Sequence, residues 1–398
     1  MADLFASLFA PETRADPYPM YHQVRAKGEV LVLNENFVVV SGHDEATAVL
    51  RDPAFGHPEP EVLPDPDENE PVDADGKVVR SFLGLNPPDH TRLRRLVSKA
   101  FTPRTIERLA PRIETLAREL VDAATEKGEA DLMSEIAKPL PVIVISELLG
   151  VPLADRDRFA AWSNAMARAL DPAFLVPDEV MREAVRARRE FVAYFRQLAG
   201  ERRRRPTEDL LSDLVAVSDS GDSLSEGELV ITVMLLLIAG HETTTNLIGN
   251  GVLALLDHPE QLHALTTERS LAAQTVEEVL RYDSPVQLTM RTAMAPTAIG
   301  DVPVGQGAEV VILIGAANRD PRSHEDPDRF DLRRAPGRHL AFGQGIHFCL
   351  GAPLARLEAK TLLLALTERA HSFHQSALPT WSPTVTLRGP ASLPLSFK

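Results

Sequence analysis

The chain has 398 residues, 44% of them apolar and 25% charged, which supplies a large core and excludes global disorder. Its formal net charge of −15 argues against nucleic-acid binding as a general role, because neutralising phosphates needs a net basic face. The single cysteine, Cys349, rules out an intramolecular disulfide and a cluster of thiolate ligands.

The first twenty residues hold no basic leader and no sustained apolar stretch, so the expectation is a cytoplasmic protein without signal peptide or anchor. A strand-like segment, Val30 to Ser41, is followed by an acidic, Pro-rich stretch from Pro58 to Gly76 that reads as a mobile surface loop. From Pro103 to Glu126, the positions Ile106, Leu109, Ile113, Leu116, Leu120 and Ala124 recur at helical spacing, with Gly128 as the stop. Further helical patterns run from about Val142 to Leu149, Ala154 to Ala169, Asp178 to Glu201, Leu224 to Asp257 and Leu271 to Tyr282. Ser225 and Glu228 form a capping box ahead of the longest apolar run, Leu229 to Gly240. That run falls short of the roughly 20 residues that span a bilayer and reads as a buried core helix. Strand-like alternation returns at Met290 to Ala298, Glu309 to Ile314 and Thr384 to Leu387. No repeat or linker stands out, and Arg202 to Arg205 reads as a solvated helix end. The expected fold class is mainly α, a single domain over residues 1–398 with small β-sheets near the N- and C-terminal parts.

Around the cysteine the sequence runs Phe342-Gly343-Gln344-Gly345-Ile346-His347-Phe348-Cys349-Leu350-Gly351, and residues from Ala352 to Arg369 have helical composition. A lone cysteine is more often a small buried hydrophobe than a ligand. Here it stands beside a helix N-terminus, where orphan N–H donors and the helix dipole favour an ionised sulfur. Gly343 and Gly345 can fold a tight loop, and Gly351 has no side chain to block a flat ligand. These features suit a metal-bound thiolate under a planar ring. A nucleotide-binding reading of the glycines fails for want of a third glycine and a preceding strand.

The segment matches the haem-binding loop pattern FGxGxHxCxG and resembles that of the cytochrome P-450 superfamily. The resemblance covers nearly the whole chain and implies haem b ligated by Cys349, with Gly351 against the ring. Glu278 and Arg281 resemble the family's ExxR helix, and Pro327-Asp328-Arg329-Phe330 resembles the segment that supplies a second arginine, Arg329, to Glu278. His90, Arg94, Arg291 and His347 match the family's propionate contacts. In Ala239-Gly240-His241-Glu242-Thr243-Thr244 the small Ala239 leaves room above a haem, while Glu242 and Thr243 match the acid and alcohol that guide protons during oxygen activation. A zinc-protease reading of His241-Glu242 fails because Thr245 stands where the second histidine is needed.

The activity implied is monooxygenation, the insertion of one atom of dioxygen into a lipophilic small molecule such as a macrolide, steroid or terpenoid. The implied substrate pocket is Phe82, Leu83, Leu235, Ile238, Ala239, Gln287, Leu288, Ala391 and Ser392. The chain carries no flavin or nicotinamide fingerprint, so electrons are expected from a ferredoxin or flavodoxin with its reductase. Arg92, Arg95 and Lys99 form a candidate docking patch on an otherwise acidic protein. A monomer is expected, with no nucleic-acid or membrane partner. The alternatives are a peroxide-driven haem-thiolate enzyme and a non-catalytic haem sensor.

Overall fold

A computed structural model describes residues 7–62, 70–73, 75–98, 101–218, 224–335, 337–370 and 372–397. In chain order its α-helices are α1 (Tyr18–Arg25), α2 (His43–Arg51), α3 (Asp89–Ser98), α4 (Pro103–Lys127), α5 (Pro139–Leu148), α6 (Arg156–Ala167), α7 (Asp178–Arg204), α8 (Leu210–Ser218), α9 (Glu226–Asp257), α10 (Pro259–Thr267), α11 (Ala272–Tyr282), α12 (Ile314–Ala317) and α13 (Ala352–Arg369). The strands are β1 (Val30–Asn34), β2 (Phe37–Val40), β3 (Phe55–Gly56), β4 (Glu129–Asp131), β5 (Leu288–Ala293), β6 (Thr297–Ile299), β7 (Val302–Val304), β8 (Glu309–Leu313), β9 (Phe373–Gln375), β10 (Thr380–Trp381), β11 (Pro390–Ser392) and β12 (Pro394–Phe397). The chain divides into two compact units, one from residues 1–56, 110–140 and 243–398, the other from residues 57–109 and 141–242.

The first unit is built on a five-stranded sheet in the order β1-β2-β8-β5-β3. β1 and β2 form an antiparallel hairpin, and β2 then runs parallel to β8 with Phe37 opposite Glu309. Val38 and Val40 of β2 and Val310 and Ile312 of β8 point into one apolar cluster with Val49 and Leu50 of α2. Both strands are continuous apolar runs buried on both faces, and every second residue of each faces that helix. A smaller sheet joins β4, β12 and β9, and α13 packs against α11.

The second unit is helical, and α6 packs on α7 through Phe159, Trp162, Phe191, Tyr194 and Phe195, with Phe191 and Phe195 stacked at 4.4 Å. The Trp162 indole donates to Glu190 at 2.9 Å, so its buried N–H is satisfied. The capping box of α9 forms as expected: the Ser225 amide donates to the Glu228 carboxylate at 2.7 Å and the Glu228 amide to the Ser225 hydroxyl at 3.1 Å. α9 is long and apolar enough to cross a membrane by length and composition, and 61% of its most apolar window is buried inside the protein.

Several expectations are corrected. Thr384 to Leu387 is no strand: Leu387 forms only an isolated bridge with Val286, and the pairing strands flank it as β10 and β11. Of the solvated helix end expected at Arg202 to Arg205, Arg203, Arg204 and Arg205 are exposed, but Arg202 donates to Asp209 at 2.7 Å and to the Gly150 carbonyl at 2.6 Å, joining the end of α7 to the turn after α5. Of the stretch from Pro58 to Gly76, residues 63–69 and 74 lie outside the described residues. Its described part is tethered: Val72 bridges Val78, Val62 bridges Lys77, and Glu70 pairs with Arg188 of α7 at 2.7 Å.

Candidate active site

The cysteine loop is held open by backbone geometry. Gly343 and Gly345 both adopt positive φ, +69° and +67°, which side chains rarely tolerate. Gly345 also comes so close to the end of α2 that a Cβ there would lie 2.5 Å from the Leu50 carbonyl oxygen. The Cys349 amide donates to the Phe342 carbonyl at 2.9 Å, closing the loop just before α13 begins. Cys349 itself is half-buried, and a Cβ built on Gly351 would meet only its sulfur, 4.0 Å away.

Behind the loop, Glu278 and Arg281 of α11 form a bidentate pair with both hydrogen bonds at 2.8 Å and both side chains buried. The second arginine on Glu278 is Arg334, at 3.1 Å. Arg329, the residue expected there, is 62% exposed and pairs with Asp331; its contribution is its carbonyl, which accepts from Arg281 and Arg334. The chain turns between the two positions, so the residue nearest the motif in sequence supplies backbone and the later one supplies charge.

Sequence reasoning missed a second anchor. Glu277 accepts two hydrogen bonds from Arg356 of α13 and one from His339, and the Arg356 guanidinium lies 4.5 Å from the centre of the Phe342 ring. Burial raises the Glu277 carboxyl, but the His339 and Arg356 hydrogen bonds outweigh it and hold the group down at about 2. The signal lay in adjacent acids, Glu277 and Glu278, that face two different arginines.

On β5, Arg291 is 6% exposed, donates to the Met290 carbonyl at 2.7 Å, and has no carboxylate partner among the described residues. Burial alone pulls its guanidinium down to about 10. In the other unit, His90 is buried in α3, and Phe82 packs against both His90 and Arg94 with centroid distances of 6.4 and 5.8 Å. Along α9 five positions form an open stripe, Leu235, Ile238, Glu242 and Thr243 being partly exposed and Ala239 exposed; of the other residues from Leu229 to Asn250, Gly240 is partly exposed and the rest are buried. The spacing of these five positions is that of a single helix face.

The family model for Cytochrome P450 matches residues 29–371 of the chain. The chain belongs to the cytochrome P450 family. It is 41% identical over 396 residues to cytochrome P450 monooxygenase PikC of Streptomyces venezuelae, covering 96% of this chain and 92% of that protein. It is also 41% identical to the vitamin D(3) 25-hydroxylase of Pseudonocardia autotrophica, covering 91% and 87%. Its fold resembles the ligand-free crystal structure of CYP164A2 from Mycobacterium smegmatis, with a TM-score of 0.90, 44% identity and full coverage of both chains.

A cytochrome P450 is a monooxygenase that binds haem b through a cysteine thiolate, and in this chain Cys349 is the one residue able to serve. The residues present fit the group. Gly351 leaves the approach to the sulfur clear, and Arg291 is a buried cation suited to an anionic propionate.

The remaining positions named from sequence fall in different settings. Gln287 is fully buried and spent in a network: its Oε1 accepts from the Tyr21 hydroxyl at 2.8 Å and its Nε2 donates to the Ser284 carbonyl at 2.7 Å. Both atoms of its amide therefore have protein partners. Leu288 and Phe82 are buried, Leu83 and Ala391 are exposed, and the Ser392 hydroxyl donates to Asp131 of β4. His347 is half-buried in the cysteine loop. Of the docking patch, Arg92 is engaged with Glu228, Arg95 is exposed, and Lys99 lies outside the described residues.

Proposed function

We propose that this cytochrome P450 inserts one oxygen atom into a lipophilic small molecule of macrolide, steroid or terpenoid type, drawing electrons from an external ferredoxin or flavodoxin with its reductase. The open face of α9 supports this reading best: three apolar positions, Leu235, Ile238 and Ala239, precede an acid and an alcohol, Glu242 and Thr243, on one stripe. When bound, haem activates dioxygen and supplies the oxidant for the substrate C–H bond. Cys349 holds the group through its sulfur, and Arg291 and His347 take its propionates. His90 and Arg94 receive the same task from the family's pattern. Glu242 holds a proton at its carboxyl and Thr243 passes it on from its hydroxyl. The apolar side chains of α9 keep substrate in place and water out. A lipophilic substrate also agrees with the name of the vitamin D(3) 25-hydroxylase. The cytoplasm is the proposed place of action, in keeping with α9 serving as a core helix.

The test begins with the absorption spectrum of the reduced, carbon-monoxide-bound protein, where a thiolate-ligated haem gives a strongly red-shifted band. Cys349→Ala is expected to abolish that band. Lipophilic compounds are then screened for a spin-state change, and product is formed under labelled dioxygen with a ferredoxin system. Product carrying one labelled atom supports the reading. Product that takes label only from hydrogen peroxide overturns it.

A further inference from the structure

His241 stands between the glycine and the acid of the α9 segment and belongs to no assigned task. It is 3% exposed, a costly place for an imidazole unless its ring atoms are used. Its Nδ1 lies 3.1 Å from the hydroxyl of Ser163, a fully buried residue of α6, and 3.4 Å from a carboxyl oxygen of Glu242. Successive side chains on a helix point in different directions, so contact between positions 241 and 242 is not the default. Here one ring nitrogen lies within 3.4 Å of both neighbours. A serine hydroxyl can donate or accept, and a carboxyl can do either according to its protonation, so Nδ1 finds a partner in each tautomer.

We propose that His241 is a positioning residue for Glu242, itself oriented by Ser163, so that a three-residue chain from α6 sets where the acid points. The proposal rests on the reading of Glu242 as the proton-bearing acid. With Nδ1 protonated, the ring donates to the Glu242 carboxylate. With Nδ1 bare, the ring accepts from the Glu242 carboxylic acid. When the carboxyl gives up its proton the neutral ring's proton moves from Nε2 to Nδ1, so the carboxyl keeps one rotamer before and after, which is the condition for repeated transfer along a fixed line.

The experiment uses the holoenzyme in its ferrous carbon-monoxide form, which is diamagnetic, with 15N-labelled histidine. The His241 Nδ1 resonance, assigned by its loss in His241→Asn, is expected to move in both Ser163→Ala and Glu242→Gln. An unmoved resonance in Glu242→Gln overturns the proposal. A second readout is the fraction of consumed electrons that appears as hydrogen peroxide. His241→Leu and Ser163→Ala are expected to raise that fraction about 3-fold or more, while His241→Asn, which keeps a donor near the Nδ1 position, stays within about 2-fold of wild type. A leaky Glu242→Gln enzyme beside His241→Leu and Ser163→Ala enzymes as tight as wild type sinks the positioning proposal alone. A fully coupled Glu242→Gln enzyme sinks the reading of Glu242 and takes the proposal with it. Ser163→Ala lies outside α9 and keeps the test open where His241→Leu does not fold.

Discussion

Glu277 of α11 is tied to Arg356 of α13 by hydrogen bonds of 2.6 and 2.9 Å, and the same carboxylate takes a third bond, of 3.1 Å, from His339 just ahead of the cysteine loop. The pair joins the helix behind the loop to the helix that leaves it. Because Arg356 also covers the Phe342 ring, the loop's first aromatic residue is clamped from the same side.

Glu277→Gln is expected to lower stability at pH 7 by about 1 kcal/mol, a figure discounted because the side chain is 44% exposed. The carboxyl is held below its unfolded value, so its contribution is present above pH 4.5 and is lost as the pH falls toward about 2. Denaturant titrations across that range are expected to show the variant and wild type converging in acid. Parallel curves refute the assignment.

Arg334→Ala removes a cation from Glu278 and one donor from each of three carbonyl groups, those of Glu325, Asp326 and Arg329. Loss of one partner from a buried network of this kind costs about 3 kcal/mol or more, so little thiolate-ligated protein is expected. Arg329→Ala is expected to change stability by no more than about 0.5 kcal/mol, since its side chain is mostly exposed. The yield of the red-shifted carbon monoxide band per mole of chain compares the two variants. Equal yields contradict the exchange of roles.

Glu358 of α13 is buried with its Oε2 lacking a hydrogen-bond partner among the described residues, and burial pushes its carboxyl well above the ordinary value. The folded state keeps the proton that the unfolded chain releases above about pH 4.5, so this residue makes the protein less stable as pH rises. In Glu358→Gln that slope is expected to disappear. Plotting the Tm of the variant minus that of wild type against pH is expected to give a line that climbs from acid to alkali; a flat line rules this out.

Gly345→Ala forces a side chain into positive φ and against the Leu50 carbonyl, a combined cost of at least about 2 kcal/mol. Gly300→Ala is the control: its φ is +56°, but nothing lies within 4 Å of the added Cβ, so only the conformational cost of about 1 kcal/mol applies. Thermal melts of the two variants are expected to separate, with haem released at lower temperature from the Gly345 variant.

The cysteine loop and α9 are legible in sequence because each is written locally: glycines at turn positions, a capping box, and a run long enough for its period to show. The Glu278–Arg281 pair is equally local, three residues apart on one helix. Arg334 and Arg356 are not legible, because which arginine meets an acid depends on turns of the intervening chain rather than on distance from a motif. The partners of Gln287 are not legible for a related reason. Its amide bonds Tyr18 and Tyr21, whose helix α1, opened by Pro17 and Pro19, is too short to show a period. Thr384 to Leu387 alternates like a strand, but its neighbours supply only one bridge.

The parallel pairing of β2 with β8 has a consequence for biosynthesis. A hairpin made within the first forty residues must wait for Glu309 before its open edge is covered, and for Phe397 before the sheet of β4, β9 and β12 is complete. The cysteine-bearing unit therefore closes only after β8 and β12 have been made, and such distant pairings form slowly. A ribosome stalled before β8 carries a hairpin with an exposed strand edge, the kind of surface on which nascent chains aggregate.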